Sequence, residues 1–194
     1  PQAIVNFRRE TDLPLELGLL VDTSGSVHGR FDFEQEAAVS FLQHTLRANF
    51  DKAFVMGFSS HSQVTQEFTD NVQLLETGVR SLRNGGGTAM YDAIYRACRE
   101  KLSKDRGDHP VRRAIIVISD GEDNQSEVTK AMALEMAQRA EVIIYAISTD
   151  DTILVGLAAQ DPYAKVVGPR FTEEPYGMAM AQTHPEFTQF VNAV

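Results

Sequence analysis

Four short stretches of this chain are almost unbroken runs of apolar, largely β-branched residues: Glu16–Asp22 (ELGLLVD), Lys52–Ser59 (KAFVMGFS), Arg113–Asp120 (RAIIVISD) and Glu141–Ser148 (EVIIYAIS). A strand with one wet face must alternate apolar and polar residues, whereas a strand covered on both faces need not. These runs therefore predict central strands lying between two covering layers. Between the first two, Phe33, Ala37 and Phe41, and likewise Ala38, Leu42 and Leu46, recur at helical spacing. A βαβ unit follows, and with it a parallel sheet. Two more helices are predicted, one over about 88–104 with Met90, Ile94, Ala97 and Cys98 on one side, and one over about 126–140 with Met132, Met136 and Ala140. Ser62–Thr69 (SQVTQEFT) alternates and follows the second run after a short turn, the pattern of an antiparallel hairpin edge. The fold class is α/β: a doubly wound, mostly parallel open sheet of Rossmann-like layout with one antiparallel edge strand.

The 194 residues suffice for one such domain with an appendage. With 18 Lys and Arg against 27 Asp and Glu, the formal charge of -9 disfavours nucleic acid or an anionic membrane as partner and favours cations or basic surfaces. No run approaches the roughly 20 apolar residues of a membrane span, so no membrane insertion by this segment is expected. The first residues lack the plan of a signal peptide, and because the chain opens on Pro1 it reads as a piece of a longer protein. A lone cysteine, Cys98, excludes an internal disulfide and reads as a small apolar core residue of a helix. The five histidines read as surface or loop residues without zinc-site spacing, and the six methionines as core filler.

Ligands of open α/β sheets bind at the carboxyl ends of the parallel strands. Polar residues gather in three places of that kind: Asp22-Thr23-Ser24-Gly25-Ser26 after the first strand, Gly85-Gly86-Gly87-Thr88 before a helix, and Ser119-Asp120-Gly121-Glu122-Asp123 after the third apolar run. Each has a plain structural reading. Asp22 and Ser24 can cap a helix, Gly85–Thr88 can be a loop with Thr88 as its cap, and Asp120-Gly121 can be a turn. Together they offer carboxylate and hydroxyl oxygen, with no sulfur or imidazole, which suits Mg²⁺, Mn²⁺ or Ca²⁺. The alternate spacing of Asp22, Ser24 and Ser26 can turn three oxygens toward one centre. Asp22 is expected on a loop, so that its replacement by Ala should leave the fold intact.

At these residues the chain resembles the von Willebrand factor A domain family. It looks closest to the bacterial branch called VWFA-related Acidobacterial domains, through Gly86-Gly87-Thr88-Ala89-Met90-Tyr91-Asp92-Ala93-Ile94 and Ile118-Ser119-Asp120-Gly121-Glu122-Asp123-Asn124. The resemblance covers about 15–149. It implies a metal-ion-dependent adhesion site, with Asp22, Ser24, Ser26, Thr88 and Asp120 at the matching positions. It further implies a non-catalytic module, secreted or periplasmic, whose Mg²⁺ (or Mn²⁺, Ca²⁺) is completed by an Asp or Glu carboxylate of a protein partner.

The flanks are read separately. Residues 1–14 resemble the end of an upstream β segment, and 150–194 form an atypical tail. From Thr149 onward the tail looks like the carboxy-terminal part of a periplasmic glutamate-type amino-acid-binding protein, which implies a junction of unrelated segments. It can also complete the sheet, with a helix near 153–160, a strand over 164–168 docking beside the last apolar run, 171–183 irregular, and a helix near 185–194. The competing functions are amino-acid binding through that tail, where Asp150 is placed to meet a ligand amine, and a metal-dependent hydrolase. Other enzyme readings fit less well. The segment Leu20–Ser26 is similar to the Asp-Thr-Gly-Ser loop of aspartic proteases, but the inserted Ser24 spoils it. A serine-hydrolase elbow lacks its first glycine, and Gly85–Gly87 lacks the Gly-Lys-Ser/Thr ending of a phosphate loop.

Overall fold

The computed structural model describes residues 13–25, 31–103, 110–119, 123–148, 164–167 and 177–181. The four apolar runs become β1 (Leu15–Asp22), β2 (Lys52–Phe58), β4 (Arg112–Ser119) and β5 (Val142–Ser148), and the alternating segment becomes β3 (Ser62–Thr69). With β6 (Ala164–Val167) and β7 (Gly177–Ala181) they form one sheet in the order β3-β2-β1-β4-β5-β7-β6. Strands β2, β1, β4 and β5 are mutually parallel, and β3 is the expected antiparallel edge. The β2–β3 ladder is irregular between Ala53 and Met56, as a bulge at a sheet edge would make it.

Successive strand residues face opposite sides, so each central strand supplies two cores. Leu17, Leu19 and Val21 of β1, with Val55 of β2 and Ile116 and Ile118 of β4, pack on α1 (Phe31–Thr45) and α2 (Val72–Arg80). Leu20, Met56, Phe58, Ile115 and Val117 point the other way, onto α3 (Met90–Arg96), the π-helical continuation Ala97–Leu102, and α4 (Lys130–Arg139). Cys98 is wholly buried in this second core, and burial pushes its thiol pKa up to about 12, so it is a packing residue rather than a nucleophile.

Several expectations need correction. Of the two stripes on α1, Ala38, Leu42 and Leu46 are core, while Phe33 is 45% exposed. On α4 the buried stripe is Ala133 and Ala137, followed by Ala140, and Met132 is 47% exposed. Small residues line the face against the sheet, so Met132 turns outward while Met136 packs half-buried at the margin of the second core. Helix α2 was not foreseen. It is started by Asn71, whose side chain accepts the Gln73 and Leu74 N–H groups, and it buries Leu75 and Val79.

The tail also differs from expectation. Residues 177–181, inside the stretch expected to be irregular, form β7, antiparallel to β5 through Ala146↔Ala179, Ile147↔Met178 and Ser148↔Gly177. The strand expected beside β5, Ala164–Val167, pairs instead with the outer side of β7. Pro169 and Pro175, which disfavour regular structure, both precede this strand, and Gly177 opens it; the strand is itself an alternation of Met with Gly or Ala. The expected helices near 153–160 and 185–194 lie outside the described residues.

Candidate functional site

The register of the sheet builds the centre of the site. Pairing of Val21 with Ile118 brings the next residues, Asp22 and Ser119, side by side at the carboxyl ends of β1 and β4. Period-2 alternation places both on the face of Leu20 and Val117, toward α3. The Ser119 hydroxyl donates to Asp22 Oδ2 at 2.6 Å, and the Ser24 N–H donates to Asp22 Oδ1 at 2.8 Å. Asp22 is therefore the last residue of a central strand and 0% exposed, not a loop residue as expected. A buried carboxylate is tolerated only where donors or cations meet it.

The loop after β1 is fastened to its neighbours. The Thr23 N–H and hydroxyl both donate to the Phe58 carbonyl at the end of β2, at 2.7 and 3.0 Å. The glycine loop then joins in: Gly85 N–H donates to the Thr23 carbonyl at 2.7 Å, and Gly25 N–H to the Gly86 carbonyl at 3.0 Å. Gly85 and Gly86 have φ of +143° and +92°, a region that side-chain-bearing residues rarely enter. At Gly86 a Cβ would also come within 2.8 Å of Ser60 Oγ, in the turn between β2 and β3. That same Ser60 oxygen accepts the Gly87 N–H at 2.9 Å, and the Ser59 carbonyl accepts the Ala89 N–H at 2.7 Å.

Thr88 is buried beside this corner, and it does not cap α3 as its plain reading would have it. The first turn of α3 is capped from a distance, because Ala89 has no side-chain acceptor. Asp123 Oδ2 accepts the Tyr91 N–H at 2.9 Å, and Ser126 Oγ accepts the Asp92 N–H at 3.0 Å. Burial, reinforced by the charge of Asp123, raises the Tyr91 phenol above its ordinary pKa.

Of the five predicted site residues, the structure places Asp22, Ser24 and Thr88, all buried and all on loops or strand ends tied to one another. Ser26 and Asp120 lie outside the described residues. Ser119, Asp92, Asp123, Asn124 and Ser126 were missed as parts of the site. Ser119 and Asp123 stand in the third polar cluster, and Asp92 and Asn124 in the phrases that carry the resemblance, but none of these has a role assigned from sequence; Ser126 has no signal.

The donor set fits a hard divalent cation. Asp22, Ser24 and Thr88 supply one carboxylate and two hydroxyls, and among the described residues no three His, Cys, Asp or Glu side chains cluster as an alternative metal site. Among the described residues no helix is long and apolar enough to cross a membrane.

A family model described as von Willebrand factor type A domain matches residues 17–122. No curated protein matches the chain. Among solved structures, the chain is similar to the conserved hypothetical protein BatB from Bacteroides thetaiotaomicron, at 19% identity and TM-score 0.59, over 92% of this chain and 85% of that one. It is similar to proximal thread matrix protein 1 from the mussel byssus, solved with a zinc-occupied MIDAS motif, at 14% identity and TM-score 0.60, over 71% of this chain and 36% of that one. It is also similar to the three N-terminal domains of the type V pili tip protein Mfa5 from Porphyromonas gingivalis, at 18% identity and TM-score 0.51, over 61% of this chain and 22% of that one. At these identities the likeness is one of fold, and the chain matches about a fifth of the pilus protein and about a third of the byssus protein.

Proposed function

Since this chain belongs to the von Willebrand factor type A domain family, we propose that it is a non-catalytic, divalent-cation-dependent protein-binding module of adhesion type. One observation carries the reading: a fully buried Asp22 carboxylate, set by Ser24 and Ser119 at the carboxyl ends of the two central strands, with the glycine loop that leads to a buried Thr88 hydrogen-bonded to the loop after β1. Asp22, Ser24, Ser26, Thr88 and Asp120 would hold Mg²⁺, Mn²⁺ or Ca²⁺, and the ion would supply the positive centre that grips an Asp or Glu carboxylate of a protein partner. The pilus and byssus neighbours, and the zinc-occupied motif of the latter, support this reading, and the formal charge of -9 favours a cation at the site. They also support a secreted or periplasmic location. The phrases Gly86–Ile94 and Ile118–Asn124 favour the bacterial Acidobacterial-type branch. The pairing of β7 with β5 favours a tail that completes this domain over an amino-acid-binding fragment.

The test begins with protein stripped by chelator. A ligand selective for the folded state stabilises it by RT ln(1 + [L]/Kd), about 2.7 kcal/mol at 100-fold over Kd. Millimolar Mg²⁺ or Mn²⁺ is expected to raise the melting temperature, and partner capture is expected to vanish in EDTA, return with Mg²⁺ and weaken with excess acetate. A melting temperature indifferent to both ions, or capture unchanged in EDTA, would overturn the proposal.

A further inference from the structure

The peptide of Thr88 is held from both sides by one short segment. Its N–H donates to Asn124 Oδ1 at 2.9 Å, and its carbonyl accepts the N–H groups of Asn124 and Gln125 at 3.0 and 3.1 Å. None of these bonds uses the Thr88 hydroxyl. Downstream the two chains grip each other reciprocally. Asp123 and Ser126 take the N–H groups of Tyr91 and Asp92, while the Asp92 carboxylate takes those of Glu127 and Val128 at 3.2 and 2.8 Å. Asp123 is itself fixed by the Ser126 N–H at 3.1 Å and the Ser126 hydroxyl at 2.6 Å. The side chain of Gln125 lies over Gly87, where a Cβ would come within 2.4 Å of it.

This clasp has a consequence for the ion. A hydroxyl ligand on a mobile loop must be ordered when metal arrives, and that ordering weakens affinity; one whose backbone is already fixed avoids that cost. We infer that Asn124 is a positioning residue for the divalent ion, acting through Thr88 by fixing the backbone from which the Thr88 hydroxyl projects. The inference rests on the reading of Asp22, Ser24 and Thr88 as a cation site, and it assigns a role to a residue outside the ligand set. Residues 88–92 and 123–128 behave as one body, so the Thr88 hydroxyl is in place before metal or partner binds.

The experiment measures Mn²⁺ affinity of the chelator-stripped chain by electron paramagnetic resonance titration, together with amide hydrogen exchange without metal. Asn124→Ala is expected to bind Mn²⁺ about tenfold more weakly, the usual loss when a group behind a metal ligand is removed. Asn124 is solvent-exposed, so this change leaves the core untouched. In a Thr88→Ala background the same substitution is expected to cost nothing further, because the hydroxyl it positions is gone. The metal-free wild type is expected to protect the Thr88 amide, Asn124→Ala to lose that protection, and Asn124→Asp, which keeps the acceptor oxygen, to retain it. Equal Mn²⁺ affinity in wild type and Asn124→Ala, or a tenfold loss that persists without the Thr88 hydroxyl, would overturn this inference alone. A wild type that binds no Mn²⁺ would overturn the cation-site reading and the inference with it.

Discussion

Two buried aspartates show how position decides what a carboxylate does. Asp22 accepts one backbone and one hydroxyl donor at the end of β1, and Asp22→Ala would leave both the Ser24 N–H and the Ser119 hydroxyl without that acceptor. Leaving a buried donor unmet costs about 1–3 kcal/mol. Asp22→Ala is therefore expected to melt lower than wild type, whereas Asp22→Asn keeps one acceptor oxygen and is expected to fold with no thermal response to Mn²⁺. A melting curve of Asp22→Asn that still shifts with Mn²⁺ would contradict the assignment. The Asp51 carboxylate serves the fold instead, taking the Leu15 and Arg47 N–H groups and the Arg47 guanidinium, all at 2.8–2.9 Å. Burial works to raise its pKa, but the Arg47 hydrogen bonds, the Leu15 N–H and the Arg47 charge hold it below its ordinary value. A carboxyl depressed on folding adds stability that is present above the unfolded pKa of about 3.9 and is lost as pH falls through the lower folded value. Asp51→Asn is accordingly expected to be less stable at pH 7, with a gap that narrows as the pH falls below about 4. Denaturant titrations at pH 7 and pH 3 would show it, and a constant gap would count against it.

At the scale of elements, what could be read from sequence was what repeats. The runs of β1, β2, β4 and β5 announce themselves because both faces are buried, and Asp22, Ser24 and Thr88 because they fall at strand or helix ends where ligands bind. What escaped was set by partners distant in sequence. Helix α2 depends on one cap and two buried residues, the buried stripe of α4 depends on how closely alanine lets it approach, and the start of α3 is capped by Asp123 and Ser126 more than 30 positions away. The junction of α4 and β5 carries a local conflict of this sort. Glu141 takes φ of +56° just after the Ala140 cap, a left-handed position that glycine usually fills. The left-handed region costs a residue with a side chain roughly 1–2 kcal/mol, against which glycine adds unfolded-state entropy. Glu141→Gly is expected to stabilise by about 0.5–1 kcal/mol, read as a higher urea midpoint at unchanged slope. A lower midpoint would mean that the exposed Glu141 side chain makes a compensating interaction.

For the whole molecule the open question in such a sheet is its edges. One edge is β3, whose polar, irregular pairing with β2 suits exposure. The other would be β5, a strand of mostly apolar residues, were it not paired with β7 and, beyond that, β6. Truncation after Asp161 removes both of these strands and leaves the β5 ladder without a partner on that side. The truncated chain is expected to melt lower and to aggregate at concentrations where the full chain does not, because an unpaired apolar edge is a template for intermolecular pairing. Ion binding is expected to survive with its affinity within about twofold, since sites that share no partners are additive. Asp22, Ser24, Thr88 and Ser119 stand at the ends of β1 and β4 and on the glycine loop, and β5 separates β4 from the tail. Hydrogen exchange on the full chain gives the direct reading: amides of 177–181 protected like those of β5 mean that the tail is part of the sheet, and exchange at unstructured rates means that it is not. Loss of Mn²⁺ binding on truncation would overturn the separation of tail from site and make the far edge of the sheet a participant in binding.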